Sequence, residues 1–269
     1  MWPVRDPALH RLLLELFDFD GDGRFSTEEQ LQVVRLRCSP RGITSLEGIG
    51  YFYNLEGLYC ERNEIASLQL VSEEKSNQRP FFGILSVLKV FDNPLDSVLL
   101  SGLSALRSVE FCGPQEAGPD KSSCIKIEHC ERLERLSVRS FPSATLELIG
   151  CPGLHSLHLS SVRLPELDLS SLSSSIRPGR LSELSCDSCG LSSLDLKWQT
   201  ALRSLSCRYN RLTELDASQS EILTELDCRF NPELKILYLS RKQRWIEDIR
   251  KDAHTEIRYV EDEIDESEY

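Results

Sequence analysis

The chain has 269 residues, 40% of them hydrophobic and 28% charged, with a formal net charge of −12. That composition admits an ordinary globular core, and no run of 18 or more apolar residues offers a membrane span. No basic stripe is present to neutralise phosphates, so nucleic acid is set aside as a partner.

The first predicted element is a helix. ALHRLLLELF, residues 8–17, places Leu9, Leu12, Leu13 and Leu16 on one face at helical spacing. DFDGDGRFSTEE follows at 18–29 and resembles an EF-hand loop, D-x-D-x-D-G-x₅-E. A hard cation takes converging oxygen ligands, and the loop supplies them in order: Asp18, Asp20 and Asp22 by carboxylate, Arg24 by its backbone carbonyl, Ser26 through a water and Glu29 bidentately. Gly23 allows the sharp turn and Phe25 fills the apolar position. Ca²⁺ is the expected ion. Calcium sensors usually pair two hands and only one is seen, which favours a structural site; a calcium-responsive regulatory protein is the alternative.

A repeat begins at Val33. LEGLYCERNEIASLQL from Leu55, LSELSCDSCGLSSLDL from Leu181, LRSLSCRYNRLTELDA from Leu202 and LTELDCRFNPELKILYL from Leu223 share L-x-x-L-x-C-x-x-N/C. Leu181, Leu202 and Leu223 stand 21 residues apart. Looser copies start at Val33, Leu85, Leu106, Leu133 and Leu154, with a partial one at Leu234. Polar inserts, SEEKSNQRP, GPQEAGPDKSS and SSSIRPGR, interrupt the series and are expected to loop out on the far side. Each repeat is a short strand plus a return segment that cannot bury its own apolar face, so stacking is required. Strand alternation points Leu58 and Cys60 inward and Gly57, Tyr59 and Glu61 outward. Asn63, Asn93, Asn210 and Asn231 end their strands, and their amides satisfy backbone groups at the turn.

A cysteine in the usual leucine column, recurring at about 21 residues, resembles the internalin-J-like class of bacterial surface leucine-rich repeats. Cys38, Cys60, Cys186, Cys207 and Cys228 match the column; Val90, Phe111, Val138 and Leu159 hold it elsewhere. The resemblance covers roughly residues 33–240. It implies an α/β solenoid with a parallel sheet on the concave face, a buried cysteine ladder, and a secreted or cell-surface adhesion or interaction protein. The loop ahead of the repeats also resembles a capping segment of surface repeats from gut-type bacteria. Residues 1–32 are therefore expected to form a helical cap, 33–240 the solenoid, 241–260 a closing helix–strand cap, and 261–269 a disordered acidic tail. Within 241–260, Trp245, Ile246 and Ile249 stand at helical spacing, and Ile257 and Tyr259 alternate as in a strand.

Other constellations have plainer explanations. Cys186-x-x-Cys189 lacks the second pair that zinc needs, and Cys186 is a ladder residue. A ladder of disulfides is open to this sequence, but inward positions hold thiols equally well as small hydrophobes, and reduced sulfur is favoured. Cys151, His155 and His158 lack an acid placed to orient an imidazole, and no nucleophile elbow, P-loop or dinucleotide fingerprint occurs; an enzyme is not expected. The expected activity is binding a protein on the concave face, by a monomer. Exposed strand positions there put forward Tyr59, Phe91, Arg208, Tyr209, Arg229, Phe230 and Tyr238, with the five from 208 to 238 treated as one patch on adjacent repeats.

Overall fold

The computed structural model describes residues 4–72, 82–113, 122–172, 179–246 and 248–260. The three polar inserts lie largely outside the described residues, and the acidic tail lies wholly outside them. The chain divides into two units, Met1–Leu154 and His155–Tyr269.

The first unit opens with α1 (Pro7–Phe17). Asp6 caps it, accepting hydrogen bonds from the amides of Ala8 and Leu9. Leu9, Leu12 and Leu13 are buried. Leu16 is 45% exposed, so the helix's apolar stripe is one residue shorter than its spacing predicts: the last turn projects past the packed seam. After the 18–29 loop comes α2 (Thr27–Gln30), held by a reciprocal Ser26–Glu29 capping box.

Strands follow in strict alternation: β1 (Arg35–Arg37), β2 (Gly57–Tyr59), β3 (Ser67–Val71), β4 (Val87–Val90), β5 (Ser97–Ser101), β6 (Ser108–Cys112), β7 (Ser123–Glu128), β8 (Arg135–Phe141) and β9 (Ala144–Ile149). β1, β2, β4, β6 and β8 pair in parallel as one sheet. The return segments β3, β5, β7 and β9 pair in parallel as a second. The repeat pattern predicts only the first sheet. The second arises because the return segments also alternate: Leu68 and Leu70, Val98 and Leu100, and Ile125 and Ile127 are buried.

The second unit repeats the plan with β10 (Ser156–Val162), β11 (Glu183–Asp187), β12 (Ser204–Ser206), β13 (Glu214–Asp216), β14 (Glu225–Asp227), β15 (Ile236–Ser240), β16 (Asp248–Arg250) and β17 (Glu256–Val260). β10, β11, β12, β14 and β16 form its first sheet. β13, β15 and β17 form its second. Two expectations change here. The helical spacing of Trp245, Ile246 and Ile249 yields only a 3-10 turn at Arg241–Trp245, because Ile249 enters β16 opposite Leu226. The partial copy at Leu234 belongs to the second sheet, where Leu237 faces Leu215 and Ile257.

The core is a wall of columns. Cys38, Cys60, Val90, Phe111 and Val138 in the first unit, and Leu159, Cys186, Cys207 and Cys228 in the second, are completely buried. All ten cysteines are free thiols. Burial pushes the Cys186 and Cys207 thiols far above their ordinary value and Cys228 up to about 12, which keeps them neutral and inert. Three residues after the column, asparagine closes the coil. Asn210 accepts from the amides of Cys189 and Leu191 and donates to the carbonyls of Cys186 and Cys207. Asn63, Asn93 and Asn231 bond neighbouring coils in the same manner. At these four coils the buried turn thus satisfies backbone groups of the preceding coil through the asparagine side chain.

Candidate functional site

The 18–29 loop is folded by its own carboxylates. Asp18 Oδ2 accepts from the Gly23 amide at 3.0 Å, Asp20 Oδ1 from Asp22 at 3.1 Å, and Asp22 Oδ1 from Arg24 at 2.7 Å. Gly21 and Gly23 take φ of 70° and 71°, a left-handed backbone that glycine adopts without strain. The turn gathers one oxygen from each of Asp18, Asp20 and Asp22 within 4.8 Å of one another. Asp18 Oδ1 is buried with no hydrogen-bond partner. An orphaned buried carboxylate oxygen in a triad of carboxylates fits a hard divalent cation.

Glu29 is placed differently. Its Oε1 accepts from the Phe19 amide at 2.8 Å, and its Oε2 from the amide and hydroxyl of Ser26 at 2.7 and 2.9 Å. The Ser26 amide bond leads the effects holding the Glu29 carboxyl below the usual carboxylate range. Glu29 thus serves the α2 cap together with Ser26 and is not gathered with the three aspartates, while Arg24 is exposed. Phe25 is buried, edge-on to Phe52 at 5.8 Å and to Phe17 at 6.4 Å, which anchors the loop to the first coils.

The outward face of the first sheets carries the other candidates. In the first unit, Tyr59 and Phe91 are half-buried, each with an arginine over its ring: Arg37 at 5.1 Å and Arg139 at 5.9 Å. Gly57 faces the same side as Tyr59 and is buried because the Tyr59 ring covers it. In the second unit, Tyr209 and Phe230 stack in parallel with centroids 4.2 Å apart and planes at 5°. They remain 54% and 47% exposed, and the Arg229 guanidinium lies 5.8 Å from the Phe230 ring. Arg208 binds Asp187 through Nε and Nη2, and Arg229 binds Asp227 in the same way. Tyr238 is not part of this patch. It stands on β15 in the second sheet, paired between Asp216 and Arg258, because its apparent repeat is a return segment.

Tyr209 and Phe230 have φ of 58° and 61°. Arg62, Asp92, Ser140, Ser161 and Ser188 share the left-handed backbone at the equivalent place, two residues beyond the column. The coil imposes this geometry. Bulky aromatic residues tolerate it poorly, so their presence at two successive coils stores strain of about 1–3 kcal/mol each.

His158 has an acid nearby that the sequence does not place beside it, Glu183. Ser156 Oγ lies 2.9 Å from His158 Nε2 and donates to Glu183 Oε2 at 2.9 Å. The same ring nitrogen is 3.6 Å from Glu183. A hydrolytic triad needs the acid on the imidazole nitrogen opposite the nucleophile. Here both partners crowd Nε2, so the relay order is absent. Cys151 is buried with its thiol directed at the carbonyls of Ile127 and Ile149. The Cys189 thiol, directed at the Asp187 carbonyl, is raised to about 11 by burial.

Neither a protein-family model nor a curated protein matches the chain. Solved structures do. InlP of Listeria monocytogenes is similar with a TM-score of 0.52 at 13% identity, over 87% of this chain and 64% of that one. The fold is an α/β solenoid of leucine-rich repeats. Internalin C2 of the same organism gives a TM-score of 0.49 at 17% identity, over 96% of this chain and 92% of that one. The functional domain of Listeria monocytogenes InlJ, which includes a cysteine ladder, gives 0.36 at 17%, over 95% and 70%. Among the described residues of this solenoid, no helix is long and apolar enough to cross a membrane.

Proposed function

We propose that this solenoid is a protein-binding module of the bacterial surface or exterior, without catalytic activity, whose N-terminal cap is held by a calcium ion. One observation carries the binding reading. Two half-exposed aromatic rings are stacked at left-handed positions on the outward face, with an arginine beside them. Tyrosine, arginine and other large aromatics dominate interface energetics, and strained exposed aromatics serve no evident packing need. The internalin-like fold of the solved neighbours supports a surface location. Asp18, Asp20 and Asp22 would hold the ion, with the Arg24 carbonyl, Ser26 and Glu29 as the remaining oxygens; the ion would neutralise the cluster and fix the loop against Phe52.

The test compares the chain with its Arg229→Ala/Phe230→Ala variant as baits in material from its natural surroundings. Proteins retained by the former and lost by the latter, at equal melting temperature, support the reading. Identical retained sets refute it.

A specific observation favours the regulatory alternative for calcium: the Glu29 carboxylate is committed to Phe19 and Ser26, so bidentate ligation would dismantle the α2 capping box. Scattering profiles with calcium and with chelator separate the two readings, since a structural site leaves the outline unchanged.

A further inference from the structure

The outward face of the second unit sorts its acids into two kinds. Asp187 is saturated, taking Arg208 through Nε and Nη2, the Arg208 amide and the Ser206 hydroxyl. Asp227 is matched by Arg229, and Asp248 by Arg250. Glu183 and Glu225 are not matched. Among the described residues, Glu225 accepts only the Ser204 hydroxyl, at 3.2 Å, and Glu183 accepts the Ser156 hydroxyl, with His158 at 3.6 Å. Among the described residues, neither glutamate has an arginine or lysine within 4.0 Å.

The sheet register puts these two carboxylates together. Glu183, Ser204 and Glu225 face one another across β11, β12 and β14. Neighbouring strands lie about 4.8 Å apart, so the glutamates flank Ser204 at a backbone separation of roughly 10 Å. The three residues line an open groove of about 440 Å³. Arg203 lines it too, without an ion pair to either glutamate, and Asp187 and Arg208 cancel each other. Two unmatched carboxylates therefore outnumber one guanidinium.

We infer that this groove is a subsite for a lysine or arginine side chain on an extended segment of the partner protein, seated over Ser204 between Glu183 and Glu225. The inference rests on the reading of this face as the binding surface. A single cation at that point reaches both carboxylates, whereas an anion meets them both as repulsion. The net charge of −12 draws a basic partner at long range. A segment is favoured over a free small cation because the face continues. Tyr209 lies five positions beyond Ser204 on the same coil, less than about 16 Å away because β12 ends at Ser206 and Tyr209 is left-handed, so a segment anchored by its cation lays an apolar side chain on the Tyr209–Phe230 stack.

The probe is a fluorescein-labelled Gly/Ser octapeptide carrying an arginine and a leucine five positions apart, read by fluorescence anisotropy with the full chain at physiological salt. Companion peptides replace the arginine with glutamine or glutamate. The arginine peptide is expected to bind saturably. Glu183→Gln and Glu225→Gln should each weaken it about threefold and together about tenfold, with unchanged melting temperature. The glutamine peptide should bind the unaltered chain about as weakly as the arginine peptide binds the double variant. No saturable binding up to millimolar concentration, equal binding of the glutamine or glutamate peptide, or an unchanged affinity in the double variant overturns the inference. In the bait experiment above, a partner lost by Arg229→Ala/Phe230→Ala but kept by the double glutamate variant overturns this subsite and leaves the face standing. Retention by both overturns both.

Discussion

Two regions of the solenoid close their coils by different means. At 202–231 each coil ends on Asn210 or Asn231, the first-sheet strands β12 and β14 are three residues long, and the column residue is a thiol. At 133–162 the same place, three residues past the column, holds Phe141 and Val162. There β8 and β10 run through it for seven residues. An asparagine turns its amide into the backbone of the neighbouring coil and ends the strand; an apolar residue has no such bonds to offer and extends the strand into the core. The left-handed residue just before that place is retained in both regions, at Ser140 and Ser161 as at Tyr209 and Phe230. What repeats is backbone register, and side-chain identity follows from how each coil satisfies it.

The largest way to break the comparison is at Phe141. It is fully buried, meets Phe111 edge-on at 6.0 Å, and covers Gly113, where an added Cβ would come within 2.8 Å of its ring. Phe141→Ala should cost about 3–5 kcal/mol by urea unfolding. A cost below 1 kcal/mol would mean that the apolar closure is not a core element. Asn210→Ala attacks the other closure. It strips the buried amides of Cys189 and Leu191 of their acceptor and should cost about 1–3 kcal/mol, with Asn210→Asp no better because the donated bonds are lost.

These closures also explain what could be read from the sequence. The 21-residue spacing of Leu181, Leu202 and Leu223, and the thiol column, announce the first sheet because leucine and cysteine are distinctive at fixed intervals. The second sheet was hidden, since Ser67–Val71 and its fellows alternate within segments whose spacing the inserts disturb. Tyr238 was misplaced for a related reason: Leu234-x-x-Leu237 imitates a first-sheet strand, and only register reveals it opposite Leu215. The aspartates of the 18–29 loop were legible by motif, but the commitment of Glu29 to Ser26 is a matter of geometry. The row of Glu183, Ser204 and Glu225 carried no signal, because ordinary surface residues gain meaning only when three strands bring them level.

The first coil sharpens the comparison from its own end: Asn63 serves the amides of Arg41 and Ile43 as in later coils, and an aspartate ahead of the repeats takes the next ones. Asp6 caps α1 and also accepts from the amides of Thr44 and Ser45 and the Thr44 hydroxyl. Burial pushes its carboxyl up, but the bonds from Leu9, Thr44 and Ser45 outweigh burial and hold it below the usual value. The sign follows from that depression. Its contribution is complete above the ordinary aspartate value near 4 and is lost as pH falls through the lower folded value. Asp6→Ala should cost about 1–2 kcal/mol at neutral pH, and the difference from the unaltered chain should shrink in acid. A difference constant down to pH 2 would contradict the carboxylate's role.

The smallest effect is expected where the comparison meets function. Phe230→Asn forfeits a stacking contact worth about 0.5–1.5 kcal/mol, and relieves left-handed strain that asparagine accepts far more readily. The two nearly cancel, so equilibrium unfolding should show stability unchanged or slightly raised while partner retention falls. A loss above about 2 kcal/mol would make the Tyr209–Phe230 stack a structural brace between coils. A neutral outcome leaves the strain without a folding purpose, and the face is then where its use must lie.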